Sequence, residues 1–129
     1  MTTILWDDEK SKVEATYVQT SCDTVLINFL IKTRNFSGRH TFFIPSTEIK
    51  KHVDSLNGIH KDLDGNLDVR DSESDSFIIL DKAGDKWFLT GQLGRSWEHN
   101  IMIFRISVDQ TVIQLLLDFL RNIVTDRVE

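Results

Sequence analysis

The chain has very little cysteine and proline. Cys22 is its single cysteine, which excludes a disulfide within the chain and favours a reduced, cytoplasmic setting. Pro45 is its single proline, so no proline-rich linker divides the sequence. We find no internal repeat or low-complexity tract. The 129 residues therefore predict one domain over 1–129.

Long hydrophobic runs and excess positive charge are also missing. No apolar run approaches the roughly 20 residues that cross a bilayer. The start, Met1–Glu9, lacks the basic region and apolar core of a signal peptide. We therefore expect no membrane contact. The formal net charge of −5 argues against general nucleic-acid binding, which needs cations against phosphates, and suits a basic partner.

Alternating apolar residues predict several strands. Val25, Ile27, Phe29 and Ile31 share one face of an extended segment, which indicates a strand with one buried side. Asn35–Gly38 supplies turn residues, and Ala83-Gly84-Asp85 reads as a hairpin turn. A short early strand is expected at 13–18 and another near Leu67 and Val69. The stronger strands are expected at 25–31, 40–44, 77–80, 87–93 and 101–108.

Two helices are predicted between and after these strands. The first covers about 47–57, with Glu48 in its first turn and Asn57-Gly58 as its stop. The second covers about 110–124 behind Asp109 as N-cap, and its apolar residues span roughly 200° of the circumference. This arc suits a buried closing helix and leaves open a homodimer or partner contact through it. The order predicts an α+β fold: a mostly antiparallel meander of about six strands packed by a mid-chain helix and a long C-terminal helix.

No residue pattern indicates catalysis or a cofactor. The four histidines lack metal-ligand spacing, and Gly91-Gln92-Leu93-Gly94 is not a phosphate-binding loop. The best metal candidate is 62–73, where carboxylates fall at several positions of a calcium loop. Leu67 stands where that loop needs glycine, so a solvated turn or strand is favoured. We expect a protein that is not an enzyme and that holds no metal or cofactor.

Segment 62–75 concentrates the negative charge of the chain. It holds five Asp and one Glu against one Arg, so its balance equals the net −5 of the whole sequence. Such a cluster can raise the encounter rate with a positive partner, although acidic turns are often merely solvated. Trp97 is a second candidate contact, because tryptophan is favoured as an interface anchor. The candidate partner-binding residues are Asp62, Asp64, Asp68, Asp71, Glu73, Asp75 and Trp97.

A succession of short motifs resembles a known family. It runs through Leu67–Asp71, Asp75-Ser76-Phe77, a glycine-containing hairpin, Thr90–Leu93, Glu98-His99-Asn100, Phe104-Arg105-Ile106 and Asp109-Gln110-Thr111. This order is similar to that of the WapI-type immunity proteins, small bacterial proteins. The resemblance implies a cytoplasmic antidote that binds and blocks the toxic C-terminal domain of a cognate polymorphic toxin. It implies no particular binding residues.

Two classes of function remain open from the sequence. The first is a non-enzymatic immunity protein that binds a toxin domain, expected to be basic. The alternative is an enzymatic or small-ligand-binding α+β domain with a pocket between the sheet and the first helix. A deep pocket around a perturbed carboxylate or histidine would favour the second, and an acidic surface would favour the first.

Overall fold

The structure is a computed structural model that describes residues 1–128, with side-chain detail for residues 1–125. Its elements follow the chain as β1 (Thr2–Asp7), β2 (Lys12–Ser21), β3 (Thr24–Lys32), β4 (Ser37–Pro45), α1 (Ser46–Asp62), β5 (Leu67–Arg70), β6 (Phe77–Ala83), β7 (Lys86–Leu93), β8 (Met102–Val108) and α2 (Thr111–Val128). A short 3₁₀ turn, Ser96–Glu98, precedes β8.

The strands form two antiparallel sheets of four strands each, which confirms the α+β class. The first sheet has the order β1-β2-β3-β4 and the second β5-β6-β7-β8. The expected single meander of about six strands is therefore not what the chain forms. Short turns pair each strand with the next, but α1 interrupts this local pairing, and β5 begins a new sheet. The alternation of residues shows which face of a strand is buried. It does not show whether two strands that are separated by a helix pair in one sheet.

The first sheet buries the face that its sequence predicted. Val25, Ile27, Phe29 and Ile31 of β3 are each at most 3% exposed. β1 was not among the predicted strands. It pairs with β2 as an edge strand and buries Leu5 in the core. A six-residue edge strand with one buried side chain has too weak an alternating pattern to be recognised from sequence.

Helix α1 runs five residues beyond the predicted stop at Asn57 and ends at Asp62. Gly58 lies inside the helix, where glycine costs only about 1 kcal/mol relative to alanine. The extra turn buries Ile59 below Leu56, which offsets that cost. The helix ends where Leu63 adopts a left-handed conformation and donates its N–H to the Ile59 carbonyl.

Helix α2 packs on α1 and β1 and closes the core. Asp109 accepts the Thr111 N–H at its start, as the predicted cap requires. Phe104, Ile106, Leu116, Phe119 and Leu120 lie in one buried cluster, each at most 5% exposed, so this predicted core is confirmed. Most of the wide apolar arc is therefore covered by the chain itself, and Leu115 is 37% exposed. A homodimer through this helix stays a prediction.

Candidate partner-binding surface

An open cleft with exposed apolar side chains among a mixed polar and apolar lining lies between the start of β4 and the start of β8. Its volume is about 540 Å³. Phe36, Ile101 and Ile103 line it and are 70%, 40% and 73% exposed. Exposed apolar side chains that gather around one concavity mark interaction sites more often than scattered ones do. We call this feature the β4–β8 cleft; the remaining lining residues are Ser37, Gly38, Arg39, Leu93, Gly94, Asn100 and Met102.

Two local structures shape the β4–β8 cleft. The β3–β4 turn is closed by the Thr33 N–H donating to the Phe36 carbonyl, which leaves the Phe36 ring at the tip. Gly38 lies against the Met102 side chain at the start of β8, since a Cβ at position 38 would sit 3.0 Å from the Met102 Sδ. A side chain at this position would therefore require Met102 to move.

The acidic segment meets the loop that forms one side of the cleft. The Asp75 carboxylate accepts the Ser96 N–H at 3.1 Å, and this hydrogen bonding lowers the pKa of Asp75. The Ser76 hydroxyl donates to the Gly94 carbonyl at 2.7 Å. Trp97, which is 60% exposed, lies in the 3₁₀ turn that this contact holds. The structure thus places Asp75 against the loop that carries Trp97 and runs on to the cleft residues Asn100 and Ile101.

The other acidic residues are spread over a helix end, a loop and a strand. Asp62 ends α1, and Asp64 accepts the Gly65 N–H in the loop that follows. Asp68 lies on β5 and forms an exposed ion pair with Arg70 at 2.9 Å. Glu73 is exposed in the β5–β6 loop. These four side chains are available at the surface.

Asp71 is the exception among the predicted contact residues, because its side chain is only 1% exposed. Its carboxylate accepts hydrogen bonds from the Phe43 N–H at 2.9 Å, the Glu73 N–H at 3.0 Å, the Ser74 hydroxyl at 2.6 Å and His40 Nε2 at 3.0 Å. Burial alone would raise the pKa of Asp71, and these hydrogen bonds lower it by more, so it lies below its ordinary value. Asp71 therefore ties the β5–β6 loop to β4 and offers no contact surface.

Ser74, His40 and Asp71 are the residue types of a hydrolytic triad, but their order differs. In a triad the carboxylate binds one ring nitrogen and the serine binds the other. Here Ser74 Oγ and His40 Nε2 both contact the same Asp71 oxygen, and they lie 3.4 Å from each other. The serine proton points to the carboxylate, so the histidine does not activate the hydroxyl. The arrangement is a structural cross-link.

A smaller cavity of about 300 Å³ lies between α1 and β5. The alternative prediction, an enzymatic or ligand-binding domain, placed its pocket between the sheet and this helix. His52 and Glu48 of α1 line the cavity together with Asp68 of β5. Burial lowers the pKa of His52, while the nearby Glu48 and Asp68 charges oppose that shift. No hydrogen bond within the described residues joins His52 to either carboxylate. The cavity thus presents a neutral imidazole without an assembled proton relay.

The structure also separates the residues of the calcium pattern. Asp62 belongs to α1 and Asp68 to β5, and Leu67 between them is buried in the core. A calcium loop would need these carboxylates to converge on one point. Within residues 1–125, no three His, Cys, Asp or Glu side chains are placed to hold a metal ion.

Three cleft residues were not among the predicted contacts. Ile103 lies on the outward face of β8, opposite the buried Phe104, and Ile101 directly precedes that strand; the outward placement of Ile103 was readable from the sequence. Phe36 sits in a predicted turn, where an aromatic residue is unexpected. An apolar residue in a turn was the signal. The convergence of the three depends on how the two sheets pack, which the pattern does not contain.

Comparison with known proteins supports the fold and no more. No protein-family model matches the chain. No match was found among curated proteins either. One solved structure, described as crystal structures of Trypanosoma bruciei MRP1/MRP2, superposes with a TM-score of 0.59 at 13% identity. The match covers 99% of this chain and 84% of that one. Among the described residues, no helix is long and apolar enough to cross a membrane.

Proposed function

We propose that this chain is a non-enzymatic immunity protein that binds and neutralises the toxic domain of a cognate toxin in the bacterial cytoplasm. The observation that carries a binding role is the exposed apolar lining of the β4–β8 cleft, at Phe36, Ile101 and Ile103. The class of partner comes from the resemblance to WapI-type immunity proteins.

The charge distribution supports a basic partner. The acidic segment comes near the cleft at Asp75, whose carboxylate accepts the Ser96 N–H, so a positive domain attracted to Asp75 arrives near exposed apolar side chains. Asp62 and Asp64 lie at the other end of the second sheet, where the Leu63 carbonyl accepts from Lys82. Electrostatic attraction of this kind raises the association rate, and burial of apolar and aromatic anchors slows dissociation. Trp97 follows Ser96, which contacts Asp75, and its 60% exposed side chain is suited to such an anchor.

Co-expression tests the function directly. The toxin domain encoded next to this gene should arrest growth when expressed alone and should be tolerated when this chain is co-expressed. Copurification of the two chains as a stable complex is expected as well. Continued growth arrest in the presence of the folded chain would contradict the proposal.

A pair of charge-matched variants tests the acidic segment. The first is Asp62→Asn, Asp64→Asn and Glu73→Gln, which leaves Asp71 and the Asp68 ion pair intact. The control is Asp7→Asn, Glu9→Gln and Asp118→Asn, which removes the same charge from the β1–β2 hairpin and from α2, outside segment 62–75. Association with the toxin domain, measured against ionic strength, should slow in the first variant and lose salt dependence. The control should retain most of the wild-type rate.

A further inference from the structure

The edge of β4 beside the cleft has free backbone groups. β4 is the last strand of the first sheet and pairs with β3 without a register shift. In an antiparallel edge strand, alternate residues direct both N–H and C=O away from the sheet. Phe43 is one of these, since its N–H donates to Asp71 and its C=O accepts from Ser72. Pro45, two residues on, has no N–H to leave unpaired.

By the same alternation, the backbone N–H and C=O groups of Arg39 and Ser37 point away from β3, towards the open edge. Both residues line the β4–β8 cleft, and Gly38 between them faces β3. Asp71 and Ser72 cover the edge at Phe43 and thereby take the place of a neighbouring strand there. No described group hydrogen-bonds to the outward N–H and C=O of Arg39 and Ser37.

The side chains around this edge define what would fit. Phe36 and Ile103 offer apolar contact on the two sides of the cleft. The Arg39 guanidinium lies at the rim and has no acidic partner among the described residues. An extended peptide could therefore hydrogen-bond to the edge through its backbone, place an apolar side chain in the cleft, and form an ion pair with Arg39 through a carboxylate.

We propose that β4 accepts an extended segment of the partner as an added strand beside Ser37 and Arg39. The segment carries an apolar residue that enters the β4–β8 cleft and a carboxylate that pairs with Arg39. In such recognition the main-chain hydrogen bonds supply affinity and the side-chain pockets supply specificity. The inference rests on the proposed function only in assigning this segment to the toxin domain. A toxin domain that is basic overall can carry one acidic residue at the contact.

A displayed library of random decapeptides, selected on the full folded chain, tests the site without any toxin. The expected peptides alternate polar and apolar residues and contain Asp or Glu. Failure to select any peptide above background would overturn strand addition, while the growth assay with the toxin domain would still judge the immunity function separately.

Two variants at one position isolate the backbone contact. Arg39→Val removes the charge and keeps the N–H, so we expect the Kd of a selected peptide to rise about 2–5-fold. Arg39→Pro also removes the N–H and fills the edge, so the Kd should rise at least about tenfold further. Thermal melting of both variants checks that the fold is intact. Equal affinities for the two folded variants would overturn the proposal.

Amide hydrogen exchange on the wild-type chain gives a second, independent test. The bound peptide should slow exchange of the Arg39 and Ser37 N–H groups. The Gly38 N–H already faces β3 and should change little, so it serves as an internal control. Peptide binding that leaves the Arg39 N–H exchange rate unchanged would overturn strand addition.

Discussion

Removal of the Asp71 carboxylate should destabilise the fold strongly. Asp71→Ala leaves four donors without their acceptor. The Ser74 hydroxyl and the His40 ring can turn towards water, since His40 is 21% exposed. The Phe43 N–H cannot turn, and an unsatisfied buried donor costs about 1–3 kcal/mol, whereas Glu73 is exposed, so its N–H can bond to water at a smaller cost. We expect a total loss of about 2–4 kcal/mol, which corresponds to a fall in Tm of about 8–16 °C in a chain of this size.

The pH dependence of stability provides a second measurement on the same group. The folded pKa of Asp71 lies below its ordinary value, so the unfolded chain takes up this proton first as pH falls. The stabilisation is complete above the ordinary Asp pKa of about 3.9 and disappears as pH falls through the lower folded pKa. Urea unfolding should therefore show the gap between wild type and Asp71→Asn at neutral pH shrinking below about pH 4.

Asp68→Asn is the matched control for Asp71. It lies three residues away, is exposed, and pairs with Arg70 at the surface. Its effect on the free energy of unfolding should stay within about 0.5 kcal/mol. An Asp71→Ala variant with the same Tm as the wild type would contradict this role of Asp71. So would an Asp68→Asn variant that lowers the free energy of unfolding as much as Asp71→Ala does.

Three further substitutions test the packing, each by urea or thermal unfolding. Phe119→Ala removes a ring that is 1% exposed and should lower the free energy of unfolding by about 3–5 kcal/mol; an unchanged Tm would contradict the packing of α2. Gly58→Ala should stabilise by about 0.5–1 kcal/mol, because a Cβ there meets no atom within 4 Å, and a loss would show a hidden contact. Gly91→Ala should cost about 1–3 kcal/mol, since its Cβ would press on the Phe77 carbonyl, and a neutral result would mean that β6 can shift.

Local sequence patterns predicted the parts of the fold that depend on local chemistry. The alternation in β3, the turn at Gly84 and the cap at Asp109 each follow from a few neighbouring residues, and all three occur. The stop at Gly58 failed because burial of Ile59, ten residues after Ile49 on the same helix, outweighs the preference of glycine for a helix end. The division into two sheets depends on contacts across α1, which no local pattern contains.

The candidate site was predictable in composition and not in arrangement. The acidic segment is evident from its residues, yet the sequence gives no reason to separate Asp71 from Asp68. Asp68 lies on β5 and Asp71 directly follows that strand; they differ because Asp71 faces the edge of β4 while Asp68 faces solvent. The cleft likewise requires Phe36 and Ile103, 67 positions apart, to meet across two sheets. Such distant encounters are set by tertiary packing.

Steering and docking place different demands on the acidic segment. The field felt by an approaching basic domain sums all charges, so Asp71 contributes to it although its side chain is buried and bonded. A direct contact requires a side chain that can reach the partner, which selects Asp62, Asp64 and Glu73. The two charge-matched triple variants each change the net charge from −5 to −2. Equal slowing in both would assign attraction to total charge, whereas slowing confined to the Asp62 variant assigns it to segment 62–75. Only the second outcome is consistent with steering of the partner by this acidic segment.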